Sequence, residues 1–205
     1  ANKSIVEKYF DVVEDPKEAD FSIVFIESPK TVGYTKEDGY LPISLQYRPY
    51  TAVNSRKISI AGGDPLESST NRSYLGKTNF ASNESDLNII LETRKAIGQK
   101  PIIVSLNMTN PTIVEEFEQF VNAIITDFGA QTQAIMDIIS GNINPSGLLP
   151  FNMPANMKTV ENQCEDVPHD MKCYKDELGN VYEFAYGLDF NGVINDSRVA
   201  KYKKY

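Results

Sequence analysis

Three short runs of β-branched and aromatic residues, separated by stretches with helical spacing, constrain what this chain can fold into. They lie at residues 20–26 (DFSIVFI), 100–107 (KPIIVSLN) and 123–126 (AIIT). Each is largely continuous rather than alternating in its apolar residues, as in strands covered on both faces of a parallel sheet. Before the second run, Ser85 can cap a helix in which Leu87, Ile90, Leu91 and Ile97 share a face, with Gly98 as its stop. After it, Pro111 and Thr112 open a predicted helix through Phe117 and Phe120, with Glu115, Glu116 and Glu118 towards the front, where the dipole favours acids. A third helix is predicted over 130–140, with Ile135, Ile138 and Ile139 inward and Gly141 ending it. This alternation predicts an α/β fold: a three-layer sandwich with an open, mostly parallel sheet, the three runs adjacent and central, and right-handed crossovers.

The 205 residues fit one domain, with a lead-in at 1–19 (part helix, broken at Pro16), a long loop at 27–83 and a tail at 191–205. Residues 144–147 predict a turn, 148–151 a short strand, 154–180 irregular chain, and 182–190 an aromatic strand or corner. A net charge of −8 argues against nucleic acid as a partner. The basic cluster Arg198, Lys201, Lys203 and Lys204, interleaved with Tyr202 and Tyr205, is expected to be a solvated, frayed terminus. The longest apolar runs fall far short of the ~20 residues of a membrane span, so no membrane is predicted as a partner.

Cys164, Cys173 and the single His169 are too few for a closed zinc site, and two free thiols are expected. His169 has no Ser- or Cys-based partner pattern around it, so no triad is predicted. Gly62-Gly63-Asp64 neither follows a strand nor opens a helix, so it predicts a turn rather than a phosphate cradle. No cofactor is expected. Asn2, Lys3, Glu7 and Lys8 interrupt any apolar leader, and the compartment is not legible.

Four stretches, in order, carry a resemblance. Residues 102–107 through Asn110-Pro111 resemble "VVVVLNSGGP". Residues 123–129 and 133–141 are similar to "AILxAWxPGQxGGxAxAxVLFG". Asn144-Pro145-Ser146-Gly147-Leu148-Leu149-Pro150 resembles "NPSGKLP", and Phe184-Ala185-Tyr186-Gly187-Leu188-Asp189-Phe190 resembles "FGYGLSY". Together, over roughly residues 20–190, they resemble the C-terminal α/β domain of family 3 glycoside hydrolases of the β-glucosidase type. The chain departs from the family where "YPGQ" gives way to Asp127-Phe128-Gly129-Ala130-Gln131 and where the loop after the first strand lacks "EGxDR". That implies a divergent branch whose substrate is not assumed to be glucose.

The resemblance implies a retaining, exo-acting enzyme with a β-linked oligosaccharide or glycoside as substrate. Its nucleophilic Asp would lie on an N-terminal (β/α)8 barrel, the missing partner, and its acid/base Glu on the loop after the first strand. The chain alone is therefore expected to be inactive. Carboxylates on that loop are Glu27, Glu37, Asp38, Asp64 and Glu67. Glu37 is the first candidate, since it follows Tyr34-Thr35 in a context resembling the "YTE" of some plant members, offset by one residue. Glu27 is the second, because it stands at the carboxyl end of the strand, where open α/β sheets place ligands. Both have the bland alternative of a solvated loop carboxylate.

Tyr34, Tyr47, Arg48 and Tyr50 are candidate substrate contacts, since aromatic faces suit sugar rings and Arg donates to hydroxyls. With Tyr40, Arg56 and Arg72 they could equally pack on the barrel. Asn107 and Asp127, at predicted strand ends, are expected site neighbours or caps for local backbone. The alternative function is a non-catalytic carbohydrate-binding or scaffold module.

Overall fold

The computed structural model describes residues 2–57, 72–164, 167 and 169–203. Gly62, Gly63, Asp64, Glu67, Lys204 and Tyr205 lie outside the described residues. In chain order the elements are α1 (Lys3–Val6), β1 (Ser22–Glu27), β2 (Tyr34–Thr35), β3 (Gly39–Tyr40), β4 (Tyr50–Thr51), β5 (Thr78–Asn79) and α2 (Glu84–Ile97). There follow β6 (Ile102–Asn107), β7 (Ala123–Asp127), α3 (Thr132–Ile139), α4 (Met157–Asn162), β8 (Leu188–Asp189), β9 (Gly192–Val193) and α5 (Ser197–Tyr202).

The three apolar runs form one parallel sheet in the order β1-β6-β7. The chain is thus an open α/β domain, as the alternation predicts. Among the described residues only β6 is flanked on both sides, so β1 and β7 are edges rather than central strands. β6 is also the most enclosed, with Ile102, Val104 and Leu106 fully buried. Helix α2 packs on β1 and β6 and buries Leu87, Ile90 and Ile97. Each such side chain contributes about 1.5–3 kcal/mol. Gly98, at φ +65°, follows α2, and Gly141, at φ +80°, ends the chain's turn out of α3. Both adopt the left-handed region that glycine enters without a Cβ penalty.

The predicted helix after Pro111 is instead two single 3₁₀ turns, Val114–Glu116 and Glu118–Phe120, interrupted at Phe117 with φ −143°. Ile113 donates its N–H to the Leu45 carbonyl (2.8 Å), and Phe117 leaves helical geometry while fully buried. A β-branched run, Thr112-Ile113-Val114, gives the helix little to resist these demands.

Residues 148–151 form no regular strand, but Leu149 donates to the Tyr186 carbonyl (2.7 Å) and accepts from the Ala185 N–H (2.8 Å). The aromatic stretch at 182–190 is a corner, with Ala185 at φ +66°, leading into the β8–β9 hairpin. A Cβ on Gly187 would lie 2.2 Å from the Gly147 carbonyl oxygen. The two glycine-bearing motifs therefore meet backbone to backbone. The tail is not frayed through residue 203. Asp196 caps α5, Val199 is buried, and Arg198 donates to the Ser146 carbonyl (2.8 Å). In the lead-in, α1 covers only four residues, and Tyr9 reaches Asp137 (2.8 Å) beyond it.

The long loop carries structure of its own. β2 pairs antiparallel with β3, and β4 with β5. The buried Asn79 donates to the Val32 (2.8 Å) and Pro42 (2.7 Å) carbonyls, drawing two passes of the loop together. Its two feet are joined as well: Ser82 N–H donates to the Lys30 carbonyl (2.9 Å), and Lys30 N–H to Asn83 Oδ1 (2.7 Å).

Candidate functional site at the carboxyl edge of the sheet

The last register row of the sheet brings Glu27 beside Asn107 and Asn107 beside Asp127. Side chains in one row of a parallel sheet share a face. Three polar residues thus end the three apolar strands together, at the edge where open α/β sheets receive ligands. Beyond this row, Ser28 Oγ lies 3.1 Å from both Thr109 Oγ1 and Asn110 Oδ1, tying the chain after β1 to the chain after β6. Asp127 Oδ1 accepts from the Gly129 and Ala130 N–H groups (both 2.9 Å), the capping role expected for such a residue.

Glu27 is exposed and ion-paired with Lys30. Its backbone is enclosed in a frame of side chains. The N–H donates to Asp86 Oδ2 (3.0 Å), and the carbonyl accepts from the Tyr47 hydroxyl (2.7 Å) and from Asn83 Nδ2 (3.2 Å). Asn83 occupies the N-cap position of α2, one place before Glu84 and two before the Ser85 expected there. Its side chain makes no cap bond to the helix backbone and serves β1 instead.

Tyr47 is fully buried, its ring edge-on to Phe117 at 6.2 Å between centroids. The face that the sequence offers to a sugar is enclosed in the domain's own core. Burial, and then the Asp86, Glu116 and Glu27 charges, push its hydroxyl far above the ordinary tyrosine range. Glu116 seats the loop here, accepting from the Tyr47 N–H (2.6 Å) and the Arg48 N–H (3.0 Å). Desolvation raises its carboxyl above the usual glutamate value, against the opposing pull of those two N–H bonds. Arg48 is exposed and pairs with Glu84 at 2.5 Å.

The other candidates lie on different elements. Glu37 is exposed in the turn of the β2–β3 hairpin, beside the mutual Thr35–Asp38 hydrogen bonds. Tyr34 starts that hairpin, 46% exposed, its ring edge-on to Tyr40. Tyr40 in turn lies under the Arg72 guanidinium, 5.4 Å from its centroid. Tyr50 opens β4 and is partly buried; burial and the Glu161 carboxylate raise its hydroxyl. The structure therefore gathers Glu27, Tyr47 and Arg48 at one place and sets Glu37 with Tyr34, and Tyr50, on separate strand pairs. Asn83, Asp86 and Glu116, which complete the frame, were not singled out by the sequence as site residues. Among the described residues no three His, Cys, Asp or Glu side chains converge as a metal site. Cys164 and Cys173 are unpaired.

An exposed carboxylate at this sheet edge is open to exchange a proton with a ligand above it. The profile of the glycosyl hydrolase family 3 C-terminal domain matches residues 6–190. The chain belongs to this family. It is 26% identical over 159 residues to beta-glucosidase C of Emericella nidulans, covering 75% of this chain and 24% of that protein. It is 33% identical over 96 residues to a probable beta-glucosidase C of Aspergillus oryzae, 47% of this chain and 14% of that one. To the periplasmic beta-glucosidase/beta-xylosidase of Dickeya chrysanthemi it is 25% identical over 117 residues, 57% of this chain and 16% of that one. The chain thus spans a quarter or less of the length of these curated relatives. No helix among the described residues is long and apolar enough to cross a membrane.

Proposed function

We propose that residues 1–205 form the C-terminal domain of a retaining, exo-acting β-glycosidase, and that its loop at 27–83 closes over a sugar held by an N-terminal (β/α)8 barrel. The barrel supplies the nucleophilic carboxylate, and this domain supplies the acid/base. In the first step the protonated acid/base gives its proton to the leaving-group oxygen while the nucleophile bonds to the anomeric carbon, releasing an alcohol. In the second, the same group, now a carboxylate, takes a proton from water as its oxygen displaces the nucleophile. Proton count and charge return to their starting values.

Glu37 and Glu27 are the carboxylates for this role, with Tyr34, Arg48 and Tyr50 as contacts at the rim. The observation carrying the proposal is the place of Glu27: an exposed carboxylate at the carboxyl end of β1, its backbone held on both sides, in a family 3 C-terminal domain. It favours Glu27 over Glu37, whose hairpin turn lies off the sheet's carboxyl edge and is held through its neighbours Thr35 and Asp38.

Glutamine at each position in the intact enzyme is the test. The true acid/base variant should lower kcat/KM most for β-glycosides with poor leaving groups and less for activated aryl glycosides, whose stalled glycosyl-enzyme azide should release. Equal turnover of poor and good leaving groups in both variants would remove both residues from the role. The isolated 205-residue chain is expected to hydrolyse aryl β-glycosides no faster than background, and robust turnover by it would overturn the division of labour.

One observation favours a second reading, a scaffold or carbohydrate-binding module: Tyr47 and Arg48 already have partners within the domain. Sugar binding without any loss of turnover on replacing Glu27 or Glu37 would support it.

A further inference from the structure

We infer that Tyr47, Asn83 and Asp86 are positioning residues that fix the Glu27 carboxylate for proton transfer, which rests on the proposal that Glu27 is the acid/base. The geometry of β1 carries this. Ser22 and Ser28 both direct their N–H groups to the β6 side, towards the Pro101 and Asn107 carbonyls (2.9 Å each). Alternation along a strand then turns the N–H and C=O of Glu27 to the outer edge. Among the described residues β1 has no further strand there.

At Glu27 three side chains stand in for that strand. Asp86, in the first turn of α2, takes the N–H; Tyr47, from the loop, and Asn83, at the α2 N-cap, donate to the carbonyl. Each of the three is itself held. Tyr47 is buried against Phe117 and fastened at its own N–H by Glu116. Asn83 donates as well to Asp86 (3.0 Å) and to the Ser28 carbonyl (3.2 Å), while its oxygen takes the Lys30 N–H.

The loop, the helix and the strand therefore converge on one residue whose side chain alone remains exposed. Outward N–H and C=O groups on an edge strand need partners wherever water does not reach them; partners that are themselves held also fix the direction of the side chain between them. A group that must hold a proton within hydrogen-bond reach of a glycosidic oxygen gains from that, because small displacements of a reacting group are costly. Neighbouring charges are Lys30, on the Glu27 carboxylate, Glu116, on the Tyr47 N–H, and the Arg48–Glu84 pair.

The test compares Glu27→Gln, Tyr47→Phe and Asp86→Ala in the intact enzyme, using dinitrophenyl β-glucoside as the good leaving group and methyl β-glucoside as the poor one. Tyr47→Phe keeps the buried ring and removes only the hydroxyl. Asp86→Ala leaves the Tyr47–Phe117 packing untouched, so it decides the matter if Tyr47→Phe fails to fold. Both are expected to lower kcat/KM for the methyl glycoside about 10- to 100-fold, the scale of a misplaced catalytic group, with kcat/KM for the dinitrophenyl substrate within about twofold because that leaving group needs no proton in the first step. If either folded variant lowers kcat/KM for both substrates alike, or for neither, the frame serves the fold alone and the inference falls. A selective effect of Glu27→Gln in the same assay would leave the acid/base proposal standing. If Glu27→Gln shows no leaving-group selectivity, Glu27 is not the acid/base and both fall together.

Discussion

Strand β6 and the loop that leaves β1 are built from opposite materials. β6 buries Ile102, Val104 and Leu106 between two parallel neighbours. Among the described residues the loop's strands are two residues long, and much of its shape is held by side chains bonded to backbone: Asn79 to Val32 and Pro42, Glu116 to Tyr47 and Arg48, Glu161 to Val53 and Asn54. Among its described residues Tyr47 is the one large apolar side chain sunk wholly into the core. A region held by apolar area loses stability with every methylene removed. A region held by discrete polar staples is lost staple by staple, and is tuned by charge and pH.

The largest effect should come from the sheet. Leu106→Ala is expected to cost about 2–5 kcal/mol of global stability, read as a lower denaturant midpoint with the unfolding slope unchanged. Asn79→Ala should cost about 1–3 kcal/mol, because two carbonyls lose a buried donor, and the loss should appear first in the loop. Hydrogen exchange would show faster exchange over residues 31–52 with β6 unchanged. Equal acceleration in β6 would mean that loop and sheet unfold as one unit.

Glu116 gives the pH arm. Its folded value lies above the ordinary one, so the folded state binds the proton more tightly than the unfolded chain. Its contribution is full below the ordinary glutamate range and is lost as pH rises through the raised value. Denaturant midpoints measured from about pH 4 to 7 should therefore fall less steeply with rising pH in Glu116→Gln than in the parent protein. An unchanged slope would show that Glu116 is not desolvated. The smallest effect is expected for Arg48→Ala. Its partner Glu84 is also at the surface, so about 1 kcal/mol or less should be lost.

The same division decided what could be read in the chain. Strands β1, β6 and β7, and helices α2 and α3, announce themselves through apolar runs and periodicity, and Gly98 and Gly141 mark two ends. Polar staples leave no such trace, since Glu116 meets Tyr47 across 69 positions and Asn79 meets Val32 across 47. Glu116 was legible only as one of several acids at the front of an expected helix, which the loop's claim on Ile113 replaces with 3₁₀ turns. Tyr47, taken as a sugar platform from its residue type, is a core residue: its ring packs on Phe117 while its hydroxyl donates to the Glu27 carbonyl and its N–H to the Glu116 carboxylate. Glu27 could be placed at the sheet edge from its position after an apolar run. Its frame could not, because Asn83 gives no sign in sequence that its side chain serves the strand.

The clasp of Lys30 with Ser82 and Asn83 has a consequence for how such a domain can diversify. Because the chain departs from and returns to adjoining points, everything between them is a closed excursion. Lengthening such an excursion costs only about 0.6 kcal/mol per doubling. The excursion can therefore be exchanged for one of another length, carrying a new rim of aromatic and charged groups to the sheet edge, while the strands beneath keep their register. The loop is then a replaceable cassette on a fixed chassis.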